Sequence, residues 1–226
     1  MPIRTVPLVT DQVYHVLNRS IDNRPIFTNR SDASRALLTL RFYRYENVPL
    51  RLSYFLTLRK EIREELLKRL EEENKLLVEI ICFCLMPNHF HFLLRQSSDE
   101  GISKFISQFQ NSFTRYFNTK NSRTGHLFQG QFKAIRVEND KQLLHLSRYI
   151  HLNPYSSHVI KEIRNLESYV WSSLPEYLSK GKEGFCKKKL IAAQFWTPSK
   201  YRKFVFDRAG YQRTLEGTKH LSLEER

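Results

Sequence analysis

The sequence predicts an α+β fold, a small antiparallel sheet with helices on one face. Short apolar or alternating runs bounded by turn residues read as strands, and amphipathic stretches between them read as helices. Their order is strand, helix, strand, strand, helix, strand, helix, which an antiparallel sheet of the ferredoxin-like kind accommodates. The 226 residues are 41% hydrophobic, enough for one core with extensions.

Gln12 to Asn18 reads as the first strand through Val13-Tyr14-His15-Val16. Asn29-Arg30-Ser31-Asp32 offers an N-cap for a helix over Ala33 to Tyr43. Arg59 to Lys75 is charge-rich, with Ile62, Leu66 and Leu70 on one stripe and Glu64/Lys68 and Glu65/Arg69 at i,i+4, so it predicts a solvated amphipathic helix. Leu76 to Leu85 is a nearly continuous apolar run and suits a buried strand. Met86-Pro87-Asn88 turns the chain into a second strand from His89 to Arg95. Ile102 to Asn118 predicts a helix, Asn118 to Gly130 a polar loop, and Phe132 to Val137 a short strand. Asn139-Asp140 caps a last helix that is expected to stop at Asn153, before Pro154. Residues 1–178 read as the main domain, with 46–74 a helical insertion, and 179–226 as a basic C-terminal extension of mixed or helical character.

Composition narrows the function. Lys and Arg number 37 against 23 Asp and Glu, a net charge of +14. Such an excess predicts a polyanionic partner, nucleic acid before an anionic membrane surface. No run of about 20 apolar residues appears, so a membrane span is not expected. Cys82, Cys84 and Cys186 are odd in number and form no CxxC, which points to a reducing interior rather than a disulfide framework. Met1 to Asn18 lacks the pattern of a signal peptide, so a cytoplasmic, nucleoid-associated location is expected.

Two constellations carry chemistry. In His89-Phe90-His91 the imidazoles sit at i and i+2, on one face of a strand and about 6.6 Å apart along it. That spacing lets both converge on one divalent ion, on a hairpin that holds them rigidly. In Arg148-Tyr149-Ile150-His151-Leu152-Asn153-Pro154, Tyr149 and Asn153 are neighbours on one helical face. Leu146 and Ile150 form the adjacent docking stripe, so Tyr149 falls at the border of core and solvent. A phenol has a pKa near about 10 and is a weak nucleophile at neutral pH. A cation on a scissile phosphate offsets the developing charge and makes attack feasible. Two histidines and one oxygen ligand, which Asn153 can supply, suit Mg²⁺ or Mn²⁺.

The sequence resembles the HUH single-tyrosine transposases, most of all their REP-associated tyrosine transposase branch. The resemblance rests on Tyr14-His15-Val16-Leu17-Asn18-Arg19, Met86-Pro87-Asn88-His89-Phe90-His91-Phe92-Leu93-Leu94, Gly125-His126-Leu127-Phe128-Gln129-Gly130, the Arg148 to Pro154 segment and Trp171-Ser172-Ser173, in family order over roughly residues 12 to 178. It implies an RRM-like HUH palm, with His89 and His91 as the metal pair, Asn153 as third ligand and Tyr149 as nucleophile. It also implies cleavage of single-stranded DNA at hairpin-associated, REP-like sites, leaving a 5′-phosphotyrosine and a free 3′-OH, by a monomer or homodimer. Gln131 stands where relatives carry arginine, Ser20 where they carry glycine, and residues 46 to 74 are longer than usual.

For DNA contact, Lys120, Arg123, Lys133 and Arg136 flank the Gly125 to Gly130 loop, and Arg19 follows the first strand. Phe105, Phe109, Phe113 and Phe117 recur every four residues and read as a core stripe before a stacking platform. The other side of that helix, with Lys104, Gln108, Asn111, Ser112 and Arg115, reads equally as a phosphate-binding or a solvated face. Lys180, Lys182, Lys187 to Lys189, Lys200, Arg202 and Lys203 add charge to the extension. The alternative reading is a catalytically silent, domesticated DNA-binding protein on the same fold. A zinc hydrolase lacks a third His or carboxylate at ligand spacing.

Overall fold

In the computed structural model, which describes residues 7–179 and 184–214, every element expected from the sequence forms in the expected order. These are β1 (Val13–Arg19), α1 (Arg30–Tyr43), α2 (Leu52–Phe55), α3 (Lys60–Glu73), β2 (Val78–Met86), β3 (His89–Gln96), α4 (Gly101–Lys120), β4 (Lys133–Arg136) and α5 (Asp140–Ser156), followed by α6 (Leu174–Leu178), α7 (Lys189–Ala192) and α8 (Pro198–Phe206). Lys180 and Lys182 lie outside the described residues. Among the described residues, no helix is long and apolar enough to cross a membrane.

The four strands form one antiparallel sheet in the order β2-β3-β1-β4. Alternation on β3 divides the protein in two. Phe90, Phe92 and Leu94 join Tyr14, Val16, Phe83 and Leu85 in a core that α1 and α4 cover. Phe105, Phe109, Phe113 and Phe117 of α4 are all buried there, so the four-residue repeat is a core stripe. Asn29 caps α1, its side chain accepting from the Asp32 amide.

The expected layer of helices on one face is therefore present, and a second layer lies on the other. Ile81, Cys82, Cys84, Met86 and Leu93 pack there with Ile150 and Leu152 of α5, Leu174 and Tyr177 of α6, and Ile191, Tyr201 and Val205 of α7 and α8. The signal was in the sequence: a strand with one wet face alternates, whereas a continuous apolar run such as Leu76 to Leu85 belongs to a strand covered on both sides. Ile81 is the extra residue of a bulge between the Ile80 and Cys82 pairings, and its carbonyl accepts the Tyr177 hydroxyl. All three cysteines are buried, free thiols.

Two features position α5. The outer edge of β2 is closed by residues 171–173: the Leu85 amide donates to the Trp171 carbonyl and the Ser173 amide to the Phe83 carbonyl. The helix also continues past its expected end. Pro154 lies inside it, and burial of Asn153, Pro154 and Ser156 overrides the usual termination before proline. The amides of Ser157 and Ile160 then close the end on the carbonyls of Asn153 and Pro154.

Candidate active site

Cross-strand register assembles the site on the α5 face of the sheet. His89 pairs with Arg19 on β1, and His91 pairs with Leu17, which pairs in turn with Lys133 on β4. His15, two residues before Leu17, shares that face, because side chains alternate along a strand. The His89 and His91 ring centroids are 5.0 Å apart, and those of His15 and His91 are 5.1 Å apart. Tyr149 on α5 lies edge-on to both, 5.6 Å from His91 and 6.2 Å from His15. Phenol and histidines thus meet within one chain.

Hydrogen bonds fix the imidazoles. The Asn88 side-chain oxygen lies 2.6 Å from His89 Nδ1; an amide oxygen only accepts, so Nδ1 carries the proton and Nε2 keeps its lone pair. His91 Nδ1 lies 2.9 Å from His15 Nε2. When His91 donates to His15, its own Nε2 is likewise left with a lone pair. Burial lowers the His15 pKa to about 4. Burial, aided by the nearby Arg19 cation, lowers that of His89 to about 4. Both rings are therefore neutral at pH 7, the form in which imidazole binds a cation. His15 was matched in sequence but had no chemical role there. Its position beside both His91 and Tyr149 follows from strand pairing that the sequence does not specify.

These residues fit a divalent cation. Among the described residues, no three His, Cys, Asp or Glu side chains group to hold a metal, so a cation on His89 and His91 would need a ligand of another residue type. Asn153 qualifies: it is 1% exposed, and its amide nitrogen has no hydrogen-bond partner. Turning the amide over puts a free oxygen in that place.

The six sequence-selected cations divide. Arg19 and Lys133 share the histidine face, Lys133 exposed on the edge strand. Arg136 pairs with Tyr14 and so faces the other way; it donates to Gln12. Arg123 holds its own loop through Asn118 and the His126 carbonyl. Lys120 is bound to Asp32, and Arg115 is exposed on α4, behind the sheet. Asn18 and Ser20 have structural work. The Asn18 amide donates to the Gln129 carbonyl, which pins the Gly125 to Gly130 loop against β1. Ser20 is fully buried, has a negative φ that needs no glycine, and donates to the Arg24 carbonyl.

The sequence reading missed a second set of residues beside the phenol. His145, Arg148, Phe204, Arg208, Tyr211 and Gln212 line a cavity of about 430 Å³ with Tyr149. Arg148 is held over the Phe204 ring at 4.4 Å, and burial and the nearby Arg208 lower its pKa.

Comparison with known proteins follows this geometry. Residues 51–153, which include His89, His91, Tyr149 and Asn153, match the family described as "Transposase IS200 like". No curated protein matches the sequence. A solved structure of a REP-associated tyrosine transposase bound to a REP hairpin shares the fold, with a TM-score of 0.54 at 14% identity, over 82% of this chain and 89% of that one. The family match covers residues 51–153 of the 226, and the likeness to the solved structure is one of fold.

Proposed function

We propose that this protein is a metal-dependent single-stranded DNA endonuclease and strand transferase, a transposase acting at hairpin-associated sites through a 5′-phosphotyrosine. The observation that carries this reading is the approach of the Tyr149 ring to 5.6 Å from that of His91 within one chain. His89, His91 and Asn153 would hold Mg²⁺ or Mn²⁺, which when bound supplies charge neutralisation at the scissile phosphate.

The chain's own residues do the rest. Helix α5 presents the Tyr149 hydroxyl to the phosphorus, the phenol loses its proton, and an O–P bond forms as the bond from phosphorus to the 3′ oxygen breaks. The 3′ oxygen takes up a proton and leaves as a hydroxyl. In joining, a 3′-OH attacks the phosphotyrosine and returns the phenol, so no nucleotide cofactor is consumed. Arg19 and Lys133, on the site face, contact the strand's phosphates. These two cations on the site face give the salt dependence expected of backbone binding.

The test is incubation with hairpin-bearing single-stranded DNA and Mg²⁺ or Mn²⁺. A covalent adduct is expected, lost in Tyr149→Phe and lost with EDTA. Persistence of the adduct in Tyr149→Phe moves the nucleophile elsewhere. Tight binding without an adduct in either metal supports the silent DNA-binding protein instead.

A further inference from the structure

A second cavity lies on the opposite side of the sheet from Tyr149. It has a volume of about 890 Å³ and sits between α1, the 44–56 segment and α4. That is within the about 300–1,000 Å³ usual for small-ligand sites. Val48, Leu50, Leu56 and the Tyr43 ring supply apolar surface. The wall from α4 is polar, with Gln108, Asn111, Ser112, Arg115 and Thr119 on successive turns. The face that the sequence left divided between phosphate binding and simple solvation therefore borders a cavity.

Charge and unmet hydrogen bonding say what fits. Arg35, Arg51, Arg115 and Lys120 line the cavity, and no acidic residue does. Lys120 is already bound to Asp32, which leaves the three arginines to meet an anion. Arg35 is stacked over the Tyr116 ring at 5.1 Å, and burial lowers its pKa. Two buried polar atoms on lining residues have no partner, Arg35 Nε, a donor, and Gln108 Oε1, an acceptor. A ligand that completes this site brings a flat apolar face, an edge with both donors and acceptors, and negative charge. A nucleotide has all three.

We propose that this groove binds an unpaired nucleotide of a DNA strand, as an anchor separate from the place of cutting. The base lies against the apolar wall, its edge meets Gln108 and Asn111, and Arg35, Arg51 and Arg115 meet the phosphates. The choice of a DNA strand over a free nucleotide rests on the DNA-cutting reading above; the nucleotide chemistry does not. Val48, Leu50, Arg51, Ser53 and Leu56 of the groove fall in the 46–74 segment, and the rest come from α1 and α4.

The test uses the full chain as a Tyr149→Phe variant with EDTA, so that only binding is read. A fluorescent 20-nucleotide single strand is titrated by anisotropy at several salt concentrations, and deoxyadenosine monophosphate and inorganic phosphate serve as competitors. Arg51→Ala combined with Gln108→Leu is expected to weaken binding about tenfold and to lower the salt slope by about 0.7, the loss of one single-strand phosphate contact. Because Arg51 caps α2 and Gln108 lies within α4, a readout without substitution is added: a strand carrying 4-thiothymidine is cross-linked to the unsubstituted groove, with the label expected between Gln108 and Lys120. Unchanged affinity and slope, or labelling confined to other peptides, overturns the proposal. Displacement by the mononucleotide at equal concentration of nucleotide units overturns the DNA strand as ligand. Failure of the Tyr149 adduct with this binding intact defeats the cutting reading alone.

Discussion

His15→Ala tests whether the histidine of β1 orients His91. His15 Nε2 sits 2.9 Å from His91 Nδ1, and its lowered pKa of about 4 keeps it an acceptor at neutral pH. Removing the ring strands the His91 Nδ1–H in a buried setting, where an unmet donor costs about 1–3 kcal/mol. His91 escapes that cost by moving its proton to Nε2, which removes the lone pair needed for a cation. Groups that hold a ligating histidine in this way are worth about 10- to 100-fold in metal affinity, about 1.4–2.7 kcal/mol and the same size as the stranded donor. The assay is the yield of covalent DNA adduct as Mn²⁺ is raised. The midpoint should move up by that factor, with the plateau recovered at saturating metal. His15→Gln, whose amide oxygen can accept the same proton, should recover part of the shift. An unchanged midpoint in a His15→Ala protein that melts cooperatively would falsify the orienting role.

Three further outcomes follow from the structure. Phe109, fully buried against Phe90, Phe92 and Phe128, should cost about 3–5 kcal/mol when replaced by alanine, read by urea unfolding. Gly101→Ala puts a Cβ 2.1 Å from the Leu77 carbonyl oxygen, a backbone atom with little room to move, and should lower stability by at least about 1–3 kcal/mol; a melting temperature equal to that of the parent would contradict the packing. His151, fully buried between Ser173, Tyr177 and Tyr201, has its pKa lowered by burial from 6.5 to about 3. The unfolded chain then binds the proton more readily, so its share of stability is complete above about pH 6.5 and falls as pH drops toward 3, by up to about 1.4 kcal/mol per unit. His151→Gln should flatten that slope relative to the parent, measured by unfolding from pH 4 to 8.

The sequence was legible where local rules act alone. Pro87 and Asn88 ended one strand, Asn29 and Asn139 capped helices, and alternation at His89 to Leu94 put both imidazoles on one face. It was opaque where distant segments meet. Nothing local says that residues 171–173 close the edge of β2, or that His15 lands on His91 across a 76-residue separation. The basic character of the C-terminal region hid its core residues, because Ile191, Tyr201 and Val205 are sparse among lysines and arginines, yet all three are buried. Pro154 misled for a related reason: a local rule against proline in helices yielded to the burial of the turn that contains it.

That C-terminal region bears on the proposed nucleophile, Tyr149. With His151 neutral, its Nδ1–H donates to the Tyr201 hydroxyl, which donates to Ser147, while Nε2 accepts from Ser173 on the β2 edge. Ser147 and His151 flank Tyr149 along α5, so these bonds fix the rotation of the helix about its axis. A shift of one residue turns a helix by about 100°, enough to carry the phenol away from His91. Deleting everything after Leu178 strips Tyr201 and Val205 from the second core, so it reports on folding before DNA binding. Tyr201→Phe is the sharper perturbation, since it keeps the ring and deletes one hydroxyl. It should lower stability by about 1–3 kcal/mol, because His151 and Ser147 lose a buried partner. It should also slow adduct formation at saturating metal and DNA, and raise the metal midpoint only as far as Asn153, the proposed ligand on α5, moves with the phenol, because the proposed ligands His89 and His91 on β3 do not depend on it. Reduced stability with an unchanged adduct rate would mean that Tyr201 supports the fold without setting the aim of Tyr149.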